Sequence, residues 1–299
     1  LLEQEIDTFD IEFQHQYRGL DGHDLVWGLG YRRIDDAFVN SYALAIDNPA
    51  SLKTDLISAF IQDEIALADD LRLTVGSKFE ENDYTGTEVQ PNLRLLWLAR
   101  PGHSVWGSLS KAVRTPSAVE RRGKIIGTTV VITPFPALVS TLRGSEDFDS
   151  ENLTAFELGY RLQPSETTSI DLALFHNEYT DVGTFETVQF VGSFPQEIEF
   201  DNKRDVTTQG LEVVFDWHPL ENWKLQTVYS YIDVEDELDS DSSNDQISNA
   251  LITGSTPEHQ LSIRTAHDLS SSLSLNLWLY YVDELDGTAY SVDPSSIDS

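Results

Sequence analysis

The densest chemistry in this chain lies between two strand-like segments, at about 115–150. Arg114, Arg121, Arg122 and Lys124 gather there as a basic cluster, although the chain as a whole carries a formal net charge of -32 at pH 7. Guanidinium and ammonium groups at that density can attract and grip an anionic ligand. The competing reading is that they meet phosphates at a surface or pair with neighbouring loop carboxylates. Ile125-Ile126, Thr128 through Ile132 and Pro134-Phe135-Pro136 follow, an apolar, β-prone run. Such a run can fold over an opening as a flap or pack against its rim, because left uncovered it is sticky. Phe190, Phe194 and Phe200 supply aromatic surface within 185–200, suited to stacking on a ligand or to stiffening a hairpin above the sheet.

The residues that support catalysis or metal binding elsewhere do not assemble here. Asp239-x-Asp241-x-Ser243 faintly resembles a calcium loop, but Asn244 replaces the turn glycine and Ala250 stands where a bidentate Glu is required. The acidic run around Asp233–Asp245 therefore reads as solvated charge. His15, His23, His103, His176, His218, His259 and His267 share no metal-ligand spacing, and most fall at or near turns. No G-x-S-x-G and no phosphate loop occurs, and Gly28-Leu29-Gly30 lies inside a strand pattern. We expect no catalytic, cofactor or metal residue, and a binding protein in place of an enzyme. With no cysteine, disulfides and thiolate metal sites are excluded. Nucleic acid is an unfavourable partner for so acidic a chain, since phosphate binding needs clustered Lys and Arg.

The elements that must position these residues read as β-strands. Leu25, Trp27, Leu29 and Tyr31 alternate with Val26, Gly28, Gly30 and Arg32; Leu71, Leu73, Val75 and Phe79 are opposed by Arg72, Thr74, Gly76 and Lys78. Period-two alternation gives a sheet with one apolar and one polar face. About twelve such segments follow in up-down order, at about 8–19, 24–34, 54–66, 70–81, 91–99, 104–114, 152–163, 168–180, 205–217, 222–234, 257–267 and 273–284. Every second connection is a few residues, and most of the others are expected to be ten or more. A sandwich has no such rule, and a propeller would repeat about every 40 residues. Short turns at one end and long loops at the other mark a membrane β-barrel. No apolar run approaches the roughly 18 residues of a spanning helix.

Trp27, Trp97, Trp217 and Trp223 lie near short turns on the apolar rows, as an aromatic girdle would, whereas Trp106 and Trp278 fall on polar rows. The polar rows carry Arg32, Arg72, Lys78, Arg94, Glu157, Arg161, Glu212 and Arg264. Charges of mixed sign suit a wet lumen or a polar plug, not a dry core.

Several segments together resemble the TonB-dependent outer-membrane receptors. They are S-A-F-I-Q-D-E at 58–64, L-R-L-T-V-G-S-K-F-E at 71–80, N-D-Y-T-G-T-E-V-Q-P-N-L-R-L-L-W at 82–97 and W-G-S-L-S-K-A-V-R-T-P-S at 106–117. L-T-A-F-E-L-G-Y-R at 153–161, D-L-A-L-F-H-N-E-Y-T-D at 171–181 and Q-G-L-E-V at 209–213 continue the likeness in order, over nearly the whole chain. The resemblance implies an all-β, antiparallel up-and-down transmembrane barrel of which this chain holds about 12 strands of 22. Residues 1–299 are then a partial barrel domain, an excerpt of a longer protein, with the plug and the last strands outside it.

The implied function is outer-membrane uptake of a scarce nutrient, a ferric siderophore or similar iron complex foremost. The implied partners are outer-membrane lipid and lipopolysaccharide, the small ligand, and the TonB-ExbB-ExbD complex acting through the plug region. Arg114, Arg121, Arg122, Phe135, Phe190 and Phe194 are the candidate ligand contacts. A passive porin-like channel and an outer-membrane barrel hydrolase, with His176 its best-placed histidine, remain as alternatives.

Overall fold

The computed structural model describes residues 3–46, 51–130, 138–192, 194–243 and 255–285. Its strands are β1 (Glu3–Tyr17), β2 (His23–Val39), β3 (Leu44–Ile46), β4 (Ser51–Ala68), β5 (Leu71–Asn82), β6 (Gly86–Arg100), β7 (His103–Arg114), β8 (Gly123–Val130) and β9 (Leu138–Arg143). They continue with β10 (Glu151–Ser165), β11 (Thr168–Val191), β12 (Phe194–Leu220), β13 (Trp223–Leu238), β14 (His259–Ser270) and β15 (Leu273–Val282). A single described helix, α1 (Ala118–Arg122), lies between β7 and β8. No described helix is long and apolar enough to cross a membrane, which says nothing about strands.

Twelve strands form one antiparallel wall in the order β1-β2-β4-β5-β6-β7-β10-β11-β12-β13-β14-β15, each beside its predecessor. These are the twelve segments expected from the alternation. β1 and β15 end the path.

Register sorts the residues by face, because directly opposed residues point the same way. On the apolar side Leu73 lies between Ile65 and Leu95, Val75 opposes Leu93, and Leu71 opposes Trp97. On the polar side Arg72 donates to Glu64 at 2.7 Å, Lys78 pairs with Glu80 at 2.7 Å, and Arg161 pairs with Asp171. Three polar-face aromatics lie against glycines directly opposite them. A Cβ on Gly28 would sit 2.4 Å from the Phe60 ring, one on Gly159 2.1 Å from Trp106, and one on Gly210 2.5 Å from Phe175. The glycine removes the obstruction and the ring covers its bare backbone. Both polar-face tryptophans take a guanidinium over the ring, Trp106 from Arg94 at 5.4 Å in addition to covering Gly159, and Trp278 from the directly opposed Arg264 at 3.6 Å.

The wall has no interior of its own. Among the described residues the buried apolar side chains are Phe38, Ile46, Leu52, Phe148 and Val206, all toward the end opposite the two-residue turns. The accessible surface is 19327 Å², against roughly 12,700 Å² for a globular protein of 33.6 kDa. Leu93, Leu158, Leu174 and Leu279 are among the large apolar residues left open. Something outside the chain must cover that face.

Connections differ from expectation at one end. The short-turn end holds tight links such as those at 69–70, 101–102 and 221–222, with Gly102 at φ +77°. The opposite end has long links at 40–50, 115–150 and 239–258, but β5 and β6 are joined by only 83–85. β11 and β12 likewise run on together beyond the neighbouring strands, as far as Val191 and Phe194. There the excursion is made of strand in place of loop.

β3, β8, β9 and α1 were not legible as separate elements. β8 pairs with β3 on one side and β9 on the other, and β9 joins β12 in parallel at Thr141–Arg143 against Glu197–Glu199. This strap reaches from the β2–β4 connection to β12, passing six wall strands. The apolar run at 125–132 is in part β8, paired on both edges; Val131, Ile132 and Pro134-Phe135-Pro136 lie outside the described residues.

Candidate functional site

The long-loop end gathers the candidate residues on a small assembly of its own. Phe38, Ile46 and Leu52 form its apolar centre, with Ala118 and Val119 of α1 packed against them. Ser117 starts the helix with a capping box. Its hydroxyl accepts from Glu120 N at 3.3 Å, and its own N–H donates to Glu120 Oε2 at 2.7 Å.

Arg114, the last residue of β7, is consumed by structure. Its Nε and Nη2 donate to Glu151 at 2.7 Å each, and Nη1 and Nη2 donate to Glu120 at 3.1 and 2.9 Å. The bonds to Glu151 and then Glu120 raise its pKa above the ordinary guanidinium value. Burial pushes the Glu120 carboxyl up, but the bonds from Arg114 and Ser117 outweigh it and leave it below its usual value. Of the two readings of the basic cluster, pairing with loop carboxylates describes Arg114.

Arg121 is half structural. Its Nη1 donates to the Phe148 carbonyl at 2.7 Å, and its guanidinium lies 6.0 Å from the Tyr84 ring. Phe148 is fully buried, edge-on to Phe200 at 6.0 Å, beneath Arg114. Arg122 bears on Tyr84 as well. Burial is the main cause raising the Tyr84 phenol, and Arg122 and Arg121 oppose it electrostatically. Tyr84 is the aromatic that sequence reading missed. It sits on the 83–85 turn, where Asn82 Oδ1 accepts from the N–H groups of Tyr84 and Thr85 at 2.9 Å each. The signal available was the Asn-Asp-Tyr-Thr-Gly turn, which presents one ring at a fixed place.

Phe190 is exposed near the tip of the β11–β12 hairpin, opposite Pro195. Among the described residues nothing brings it to the arginines. Phe135 lies outside the described residues, and of Phe194 only its backbone pairing with Val191 is described.

The acidic loop after β13 is fastened at its start. Glu186, almost fully buried, accepts from the Ser242 hydroxyl at 2.7 Å, the Ser243 N–H at 2.5 Å and the Ser243 hydroxyl at 2.9 Å. Burial raises its carboxyl, and the bonds from Ser242, Thr184 and Ser243 more than reverse that. Lys203 Nζ donates to Asp241 at 3.1 Å. Of the three residues that suggested a calcium loop, Asp241 and Ser243 are thus partly engaged as acceptor and donor, and Asp239 is held through its backbone to Lys203 and Ser242; Asn244, Asp245 and Ala250 lie outside the described residues. His176, the residue on which a hydrolase would turn, has Glu178 at 3.3 Å and the Phe156 ring beside it.

Comparison with known proteins places this arrangement. The family model "TonB dependent receptor-like, beta-barrel" matches residues 3–298. An iron-regulated outer membrane virulence protein of Vibrio cholerae is 28% identical over 127 residues, 42% of this chain and 18% of that protein. A probable TonB-dependent siderophore receptor, PirA of Acinetobacter baumannii, is 23% identical over 142 residues, 46% of this chain and 18% of its own. Among solved structures, the siderophore receptor PirA from Pseudomonas aeruginosa aligns with TM-score 0.71 at 16% identity, covering 94% of this chain and 49% of that one. A mutant ferric enterobactin receptor from the same organism, in complex with enterobactin, aligns with TM-score 0.73 at 14% identity, covering 95% and 44%. The chain spans less than half the length of these relatives. The fold is shared with these structures, and the chain belongs to the TonB-dependent receptor-like β-barrel family.

Proposed function

We propose that this chain is part of the wall and outer mouth of an energy-coupled outer-membrane receptor that takes up an anionic iron complex, a ferric siderophore foremost. The observation that carries the reading is a twelve-strand antiparallel wall with an uncovered apolar face, topped at one end by an assembly bearing Arg121, Arg122 and Tyr84. Bilayer lipid and lipopolysaccharide cover the apolar face. Polar-face pairs such as Arg72–Glu64 meet the plug, a part of the protein beyond residues 1–299, through which TonB-ExbB-ExbD does its work. The names of the relatives support an iron or siderophore cargo.

Arg122 and Tyr84 are the ligand contacts this reading favours, with Arg121 and Phe190 beside or above them, and Arg114 holding the assembly together. Arg122→Ala is expected to weaken binding of the anionic complex about tenfold, the loss of one charge-assisted contact, with folding retained. Arg114→Ala is expected to lower stability by about 1 kcal/mol, since its pairs are half exposed and Glu120 and Glu151 keep backbone donors in Ser117 and Gly183.

The deciding experiment is radiolabelled ferric-siderophore uptake by cells whose only receptor is the full-length protein, under iron limitation, with and without a protonophore. Uptake that saturates, stops with the protonophore and falls with Arg122→Ala is the expected result. Uptake indifferent to the protonophore would make the protein a passive pore.

A further inference from the structure

The short-turn end carries a cavity that ligand capture does not use. It lies at the β6–β7 turn, has a volume of about 320 Å³, and is lined by Leu98, Arg100, His103, Arg161 and Gln163 among others. The turn is clamped in place. Gln163 N donates to the Gly102 carbonyl at 2.7 Å, and a Cβ on Gly102 would lie 2.4 Å from the Gln163 carbonyl oxygen. Arg100 and His103 face one another across the turn, and His103 opposes Leu162 of β10.

The three cationic or potentially cationic side chains differ in how far they are used. Arg161 spends its Nε on Asp171. Arg100 is exposed and has no hydrogen bond or ion pair with any described residue. His103 has its Nδ1 2.6 Å from the Tyr160 hydroxyl. When that hydroxyl donates to Nδ1, the neutral ring carries its proton on Nε2, and no described residue hydrogen-bonds there. The nearby carboxylates are engaged: Asp70 accepts from Trp97 Nε1 at 3.2 Å, and Asp171 holds Arg161. A fixed notch with an unspent guanidinium and an imidazole donor suits a phosphate. Beside it the apolar face continues through Trp97, Tyr160 and Leu158, all substantially exposed.

We propose that this notch seats the phosphate of a membrane glycerophospholipid, held by Arg100 and the His103 Nε2, with its acyl chains lying along that apolar strip. The inference rests on the membrane reading above and adds to it a specific lipid site in the leaflet at the short-turn end. An inorganic phosphate or a phosphate-free lipid would satisfy only half of the surface.

The test is native mass spectrometry of the full-length protein in non-ionic detergent, titrated with phosphatidylglycerol or with diacylglycerol of the same acyl chains. The wild type is expected to retain phosphatidylglycerol in preference to diacylglycerol, with millimolar inorganic phosphate unable to displace it. Arg100→Gln with His103→Gln is expected to weaken phosphatidylglycerol retention on the order of tenfold, each cation or donor at a headgroup being worth about fivefold or less. Lys111→Gln, at the far end of β7, should leave retention unchanged. If the double variant fails to fold, Arg100→Lys, which keeps the charge, against Arg100→Gln reads the same contrast. Equal retention of the two lipids, unchanged retention in the variants, or displacement by inorganic phosphate overturns the proposal. A wild type that stays soluble without detergent and binds no lipid strikes the membrane reading itself.

Discussion

At Gly159 the backbone of β10 lies so close under Trp106 that even a methyl group has no room. Gly107, on the neighbouring strand, meets nothing nearer than 3.6 Å at the same position. Gly159→Ala is therefore expected to destabilise the folded barrel by about 1–3 kcal/mol, the usual effect of overpacking. Gly107→Ala should stay within ~0.5 kcal/mol. Urea unfolding in lipid vesicles separates the two. Glu186 gives a second residue-scale prediction. Its carboxyl is held below its ordinary value of 4.5, so its grip on Ser242 and Ser243 stabilises at pH above 4.5 and is lost as pH falls through the lowered value. Hydrogen exchange at 239–243, corrected for intrinsic rates, should be protected at pH 6 and lose protection as the pH is taken progressively below 4.5, with Glu186→Gln weakening protection at pH 6. Residues like these were beyond sequence reading. Arg114, Arg121 and Arg122 look alike in one dimension, and only the partners Glu151, Glu120, Phe148 and Tyr84 distinguish them. Those partners come from β10, from α1, from the link before β10 and from the 83–85 turn, Glu151 lying 37 positions from Arg114.

The wall strands were legible because a two-residue period repeated over ten or more residues leaves one interpretation, and the polar and apolar rows fix the register as well. β5 and β6 illustrate it: Leu71, Leu73 and Val75 meet Trp97, Leu95 and Leu93 in unbroken order. The strap was not legible for the opposite reason. β3 has three residues, α1 has five, and β9 pairs with a strand more than fifty residues on. Segments that short carry no period, and their conformation is imposed by what they pack on. The alternation also predicts unequal tolerance along a single strand. Leu73→Arg, on the apolar row between the short-turn interface and the midplane, should cost about 1–2 kcal/mol of stability in a bilayer. Thr74→Arg, one residue on and facing the lumen with Arg72, should cost under ~1 kcal/mol. Equal effects at 73 and 74 would mean that the two faces share one environment.

For the whole molecule the controlling fact is the missing interior. A wall whose leucines are open on one side and whose charges are paired on the other is stable only between two different media. Hydrocarbon against the apolar rows and water or a polar plug against the other satisfy both, and every functional statement above depends on that placement. Nitroxide labels at residues 73, 75, 93 and 211 on the apolar rows, and 74, 92 and 226 on the polar rows, test it in the full-length protein reconstituted into bilayers. Collisions with oxygen, which concentrates in hydrocarbon, and with a water-soluble nickel chelate should alternate with the sequence: oxygen at the first set, nickel or immobilisation at the second. Labels at 73, 75, 93 and 211 shielded from oxygen, or as open to nickel as those at 74 and 92, would contradict the account.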